Sequence, residues 1–128
     1  MKKILIIDDS QMSRNYHSAI LQENGYEILQ AADGAEGLEK ALMNQIDAVM
    51  VDINMPVMDG FEFIRRLRCE ESHKLLPVII MSTEKSDEDV TQGMNAGANL
   101  YLVKPVDPDT LLDSIEKMIP KFKKLEAK

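Results

Sequence analysis

Asp8, Asp9, Asp52, Ser82 and Lys104 are the residues whose types and spacing could do chemistry together. Each closes or follows a short apolar run. Ile4-Leu5-Ile6-Ile7 precedes Asp8-Asp9, and Val49-Met50-Val51 precedes Asp52. Val78-Ile79-Ile80-Met81 precedes Ser82-Thr83, and Leu100-Tyr101-Leu102-Val103 precedes Lys104-Pro105. If these runs are parallel strands, their carboxyl ends meet on one edge of one sheet, the edge where open α/β sheets bind ligands. Three carboxylates, a hydroxyl and an ammonium then converge, a set suited to phosphoryl transfer around a metal ion.

Carboxylates on adjacent strand ends repel. Two like charges about 4 Å apart interact by roughly 4 kcal/mol at an effective dielectric of about 20. Either their proton affinity rises or a cation binds. A hard divalent ion held by one or two carboxylates and water matches Mg2+. Asp52 could act as a nucleophile, since a carboxylate attacking phosphorus forms an acyl phosphate. Lys104 and Ser82 could then neutralise and hydrogen-bond the phosphoryl oxygens. Taken singly, each residue has a plainer reading: Asp8-Asp9 as a helix cap, Ser82 as a strand-end cap, Lys104 as an exposed lysine before a turn proline. Their joint placement at strand ends favours the site.

Helical patterns fill the intervals. Met12, Tyr16, Ala19 and Ile20 fall on one predicted helix face, with Ser10 as N-cap and Asn24-Gly25 as stop. Ala35, Leu38, Ala41 and Leu42 repeat the pattern, as do Phe61, Ile64 and Leu67 after Asp59-Gly60. A last helix carries Leu111, Leu112, Ile115, Met118 and Ile119 behind Asp107 and Pro108. Between residues 86 and 96 only Val90, Met94 and Ala96 are apolar, a thin stripe that marks this segment as the place to expect movement. The alternation predicts a parallel sheet with helices on both faces. Runs one, three and four are continuously apolar, as central strands should be. The second run, Glu27-Ile28-Leu29-Gln30, and the fifth suit the edges. The predicted fold is therefore α/β, flavodoxin-like, a five-stranded parallel sheet of order 2-1-3-4-5 whose switch point lies between strands one and three. The short basic stretch at residues 121–124 reads as a frayed helix end.

The 128 residues suit one domain, with 45% hydrophobic and 29% charged residues typical of a soluble globular chain. A formal charge of −7 argues against non-specific nucleic-acid binding and against docking on an anionic membrane. The single Cys69 forms no intramolecular disulfide and reads as a bystander thiol in a reducing compartment. The apolar stretch after Met1-Lys2-Lys3 is four residues long, shorter than the roughly 7–15 of a secretory signal, so the expected location is the cytoplasm.

Asp8-Asp9, the stretch Asp52-Ile53-Asn54-Met55-Pro56-Val57-Met58-Asp59-Gly60, Ser82 and Lys104-Pro105 resemble the receiver domain of two-component response regulators across residues 2–119. The resemblance implies one receiver domain over residues 1–128, with no DNA-binding or enzymatic output domain within the chain. It implies that Asp52 accepts phosphate from a histidine kinase. Asp9 and Asp52 would ligate Mg2+ with the backbone carbonyl of Asn54, Asp8 would act mainly through water, and Lys104-Pro105 would be a cis peptide. Ser82 and Tyr101 would form the switch, remodelling a face made by the fourth helix, fifth strand and fifth helix. Asn54 and Glu84 would flank the hydrolytic water and tune the lifetime of the phosphorylated state. Tyr101 reads equally well as an edge-strand aromatic covering the core.

Asn54, Glu84 and Asn54-Met55-Pro56 are most similar to the stand-alone, CheY-like chemotaxis receivers, which implies the flagellar motor switch as output partner and a phosphatase as a further one. Ser82-Thr83 and Val106 depart from the more usual Thr-Ala and Phe of those receivers. Two alternatives stay within the family: a phosphorelay intermediate passing phosphate from Asp52 to a histidine phosphotransfer protein, and a receiver fragment of a larger regulator. Outside it stand a Mg2+-dependent phosphohydrolase and a flavodoxin-type cofactor binder. The first lacks a second acid at Asn54 and a cap domain; the second lacks a Ser/Thr/Gly-rich phosphate cradle after strand one. The expected chemistry is thus the chain's own phosphorylation and dephosphorylation, not turnover of a separate substrate.

Overall fold

The computed structural model describes residues 1–119. Five strands alternate with five α-helices: β1 (Lys3–Ile7), α1 (Gln11–Glu23), β2 (Glu27–Ala31), α2 (Gly34–Met43), β3 (Ala48–Val51), α3 (Gly60–Arg68), β4 (Val78–Ser82), α4 (Asp87–Ala96), β5 (Leu100–Val103) and α5 (Pro108–Met118). A short 3-10 helix, Glu71–His73, links α3 to β4. All strand pairings are parallel, in the order β2-β1-β3-β4-β5. The second and fifth runs are the edges, and β1, β3 and β4, buried throughout except at Lys3, are the centre.

Strand periodicity divides the core into two layers. Leu5, Ile7, Val49, Val51, Val78 and Ile80 point to one face and pack against Ala41 of α2 and Phe61, Phe63, Ile64 and Leu67 of α3. Ile4, Ile6, Ala48, Met50, Ile79 and Met81 point to the other, against Leu21 of α1 and Leu111 and Ile115 of α5. The caps are local chemistry. Ser10, Asp33, Asp59, Ser86 and Asp107 each accept a backbone N–H from three residues on, which satisfies one orphan donor of each helix start.

Two expectations about helix faces are corrected. In α1, Met12 is 82% and Tyr16 49% exposed, and Ala19 is exposed too, while His17, Ser18 and Leu21 are buried. The helix is turned because its polar residues find partners on the inner side. Arg14 Nη1 donates to the Asp8 carbonyl at 2.6 Å and Nε to Gln30 Oε1 at 3.1 Å, and Gln30 Nε2 donates to Ser18 Oγ at 2.9 Å. In α2, Ala35 and Leu42 lie outside the core, while Leu38 and Ala41 pack into it as expected and Gly37 approaches Ile7 of β1. The basic stretch at residues 121–124 lies outside the described residues.

Candidate functional site

The register places the candidate residues before their side chains are considered. Ile7 pairs with Val51, so the residues that follow, Asp8 and Asp52, leave the sheet side by side. The Asp52 N–H donates to the Ile7 carbonyl at 3.0 Å, carrying the ladder one step past the strands. Across the sheet, Ser82 pairs with Val103, and the Lys104 N–H donates to the Ser82 carbonyl at 2.8 Å. The long Lys104 side chain spans back toward β1 and β3.

There Lys104 Nζ donates to Asp8 Oδ2 at 2.7 Å and to Asp52 Oδ2 at 3.2 Å. Asp8 is buried, and its second oxygen accepts the Ser10 N–H at 3.0 Å. Asp52 Oδ1 accepts the Ile53 N–H at 2.6 Å. Asp9 is exposed at the rim, yet carboxylate oxygens of Asp8, Asp9 and Asp52 lie within 4.8 Å of one another. The peptide Lys104–Pro105 is cis, as the resemblance implies.

Buried Asp8 and part-buried Asp52 are not equivalent. Burial pushes Asp8 upward, but the hydrogen bonds from Lys104, the Ser10 N–H and the Ser13 hydroxyl outweigh it and hold the carboxyl below its ordinary range. Burial also raises Asp52, and the charge of Asp8 adds to the rise, so that Lys104 only partly offsets it and Asp52 ends above its ordinary range. Lys104 itself is pushed down by burial and more than restored by the two aspartates. One ammonium thus satisfies Asp8 and leaves Asp52 short of positive charge. Three carboxylates against one ammonium leave two negative charges, and every nearby acceptor is an oxygen. That donor set fits a hard divalent cation such as Mg2+.

The remaining candidates lie on the far flank. Ser82 is buried and its Oγ accepts the Glu84 N–H at 3.0 Å; among the described residues no hydrogen bond joins it to Asp52. Asn54 and Glu84 are both exposed and meet at 3.4 Å between Nδ2 and Oε2, bridging the β3–α3 and β4–α4 loops. Tyr101 is half-buried, and its hydroxyl donates to the Glu84 carbonyl at 2.7 Å. Its ring lies against Gly93 of α4, where an added Cβ would stand 3.3 Å from Tyr101 Cδ2.

Sequence reasoning passed over two residues of α1. Arg14 anchors the Asp8 carbonyl, and Ser13 Oγ lies 3.3 Å from Lys104 Nζ. The signal was available in helical spacing: Ser13 stands three residues after the cap Ser10, so it faces the same sheet edge as Asp8 and Asp9. Beside them a cavity of about 460 Å3 is lined by Met12, Tyr16, Thr83, Lys104, Pro105 and Val106.

Comparison with known proteins agrees with this geometry. The pattern of the family described as response regulator receiver domain matches residues 4–116. Protein PilH of Pseudomonas aeruginosa is 37% identical over 119 residues, spanning 93% of this chain and 98% of its own. The chemotaxis protein CheY4 of Vibrio cholerae superposes with a TM-score of 0.88 at 42% identity, over 92% of this chain and 98% of its own. The receiver domain of a sensor histidine kinase from Pseudomonas aeruginosa, solved with a magnesium ion coordinated in its active site cleft, superposes with a TM-score of 0.87 at 28% identity, over 92% and 97% of the two chains.

Proposed function

The chain belongs to the response regulator receiver domain family, and from that premise we propose that it is a cytoplasmic switch that accepts a phosphoryl group from a histidine kinase on Asp52 and signals through the face of α4, β5 and α5, with the flagellar motor switch as output partner. Residues 1–128 would act as one receiver domain. The observation that carries the reading is the uneven pair at the sheet switch point: Asp8 neutralised by Lys104, Asp52 beside it under-neutralised, and Asp9 within 4.8 Å of both.

A carboxylate with raised proton affinity is the better nucleophile of the pair. An Asp52 oxygen forms the bond to phosphorus as the donor's P–N bond breaks, and the electron pair stays with the leaving imidazole. The Ile53 N–H fixes the orientation of the attacking carboxylate. Lys104, already 3.2 Å from Asp52 Oδ2, is placed to neutralise a phosphoryl oxygen. Ser82 accepts from Glu84, which leaves its own proton free to donate to a second oxygen. Asp9, Asp52 and the Asn54 carbonyl would hold Mg2+, with Asp8 acting through water; when bound, the ion supplies positive charge for the phosphoryl oxygens. The magnesium-bearing receiver relative supports that choice of ion.

Readout would follow from Ser82. If its hydroxyl turns to the phosphoryl group, the β4–α4 loop shifts with it, and the Tyr101 bond to the Glu84 carbonyl breaks. Tyr101 then turns inward and α4 re-seats. Asn54 and Glu84, which already meet across the site mouth, are positioned to govern water access and hence the lifetime of the acyl phosphate. The apolar rim of Met12 and Tyr16 beside Lys104-Pro105 offers the phosphodonor a surface that shares Lys104 with the site.

Intact-mass analysis after incubation with acetyl phosphate tests the reading. One added phosphoryl group that requires Mg2+ and is absent in Asp52→Asn is expected. Equal uptake by Asp52→Asn at the same site would show that the nucleophile is another residue.

A further inference from the structure

A lysine ammonium has three hydrogens to place. Lys104 Nζ places them on Asp8 Oδ2 at 2.7 Å, Asp52 Oδ2 at 3.2 Å and Ser13 Oγ at 3.3 Å. The lysine side chain is only 16% exposed, so solvent is a poor substitute for any of the three. Two of these acceptors are carboxylates that phosphoryl transfer must itself engage. Ser13 is the one that the chemistry does not consume.

The hydroxyl is also oriented. His17 Nδ1 lies 2.8 Å from the Ser13 carbonyl oxygen, and because a carbonyl only accepts, Nδ1 carries the proton. That nitrogen therefore cannot accept from Ser13 Oγ, although the two atoms are 3.5 Å apart. Ser13 Oγ is left to accept from Lys104 Nζ at 3.3 Å. His17 is buried, which disfavours a second proton on the ring. The backbone of Ser13 is fixed in turn: its N–H donates to Ser10 Oγ at 3.1 Å, and the Ser10 N–H donates to Asp8 Oδ1 at 3.0 Å. The first turn of α1 and the end of β1 are one hydrogen-bonded unit around the ammonium.

We infer that Ser13 is a positioning residue for phosphoryl transfer, holding the Lys104 ammonium over Asp52 when Asp8 and Asp52 turn to other partners. The inference rests on the proposed phosphoryl-accepting role of Asp52. It gives α1 a part in the reaction that its exposed outer face does not suggest.

The test is the rate of phosphoryl uptake from acetyl phosphate with Mg2+. In that step an Asp52 oxygen bonds to phosphorus, the P–O bond to the acetyl group breaks, and acetate leaves. Ser13→Ala should slow uptake about three- to tenfold, the scale of one ordinary hydrogen bond, as suits a 3.3 Å contact. Ser13→Thr, which keeps the hydroxyl, should recover most of the rate. In a Lys104→Ala background, Ser13→Ala should have no further effect, because Ser13 acts through the lysine. A wild-type rate in Ser13→Ala, or the same fold-loss with and without Lys104, overturns the inference. Thermal melting of each variant separates a folding defect from a rate defect. A second readout needs no phosphoryl transfer: the side-chain 15N signal of Lys104 in the metal-free protein should move and broaden in Ser13→Ala and persist in Ser13→Thr. If the wild type takes up no phosphoryl group, the functional reading fails; the Lys104 signal still decides whether Ser13 holds the ammonium, and an unmoved signal overturns that.

Discussion

α3 and α4 pack on the same face of the sheet and differ by one residue in length, yet they are held in opposite ways. α3 buries Gly60, Phe61, Phe63, Ile64 and Leu67; α4 buries only Gly93. Glu62 in the first turn of α3 pairs with Arg65 and Arg66, a charge order that suits the helix dipole. α4 has three acids in its first turn and no base in its last. Its firm attachment is at the far end, where the Arg68 guanidinium donates to the Gly97 carbonyl at 2.8 and 3.1 Å and to Asn99 Oδ1 at 3.1 Å. α4 is thus tethered at its C-terminus and lightly seated elsewhere. α3 begins against Asp52 itself: a Cβ on Gly60 would collide with the Asp52 carbonyl oxygen. On the proposed function, the chemistry would be mounted on the firmly packed helix and the response on the lightly packed one.

The largest expected effect sharpens this contrast. Phe63→Ala in α3 should cost about 3–5 kcal/mol in urea unfolding, whereas Met94→Ala in α4 should cost under about 1 kcal/mol. Equal losses would break the comparison. Arg68→Ala removes the tether, with bonds to Gly97, Asn99 and the His73 carbonyl lost at once, and should cost about 2 kcal/mol and speed amide exchange in α4 before α3.

A smaller effect tests the site beside α3. The folded Asp52 carboxyl titrates above its ordinary 3.8, so its ionised form destabilises the metal-free protein at neutral pH. That cost is relieved as pH falls through the folded value and is gone below 3.8. Asp52→Asn should therefore melt a few degrees above wild type at pH 7 without Mg2+, with the gap closing in acid. Asp8 has the opposite sign: its stabilisation is present above 3.8 and is lost as pH falls through its lower folded value. Mg2+ should raise the melting temperature of wild type more than that of Asp52→Asn. The smallest effect is at Val57, a β-branched residue at φ 69° in the loop before α3. Val57→Gly should stabilise by about 1 kcal/mol or less, relief of strain minus the entropy of glycine.

The order of elements, the edge strands, the caps Ser10 and Asp107 and the helix start at Asp59-Gly60 were legible because each depends on local chemistry: apolar run length, a short oxygen-bearing side chain, a proline at the first helical position. The acidic cluster was legible because strand ends on a parallel sheet converge whatever the loops do. The facing of α1 was not. Periodicity counts residue types, and Met12, Tyr16 and Ala19 make a convincing stripe, but polar Ser13, Arg14, His17 and Ser18 turn inward because Asp8, Gln30 and Lys104 wait there from distant parts of the chain. The thin anchoring of α4 was read correctly from its few apolar residues, but its tether was not, since Arg68 lies 29 residues before the Gly97 it holds.

Hydrogen exchange on the acetyl phosphate-treated protein in Mg2+, set against the untreated protein, tests the division between rigid chemistry and loose response most directly. Amides of α4 and β5 should change protection while those of α3 stay within error of the unphosphorylated state. Matched changes in α3 and α4, or no change in α4 when mass analysis shows a phosphoryl group on Asp52, would contradict it.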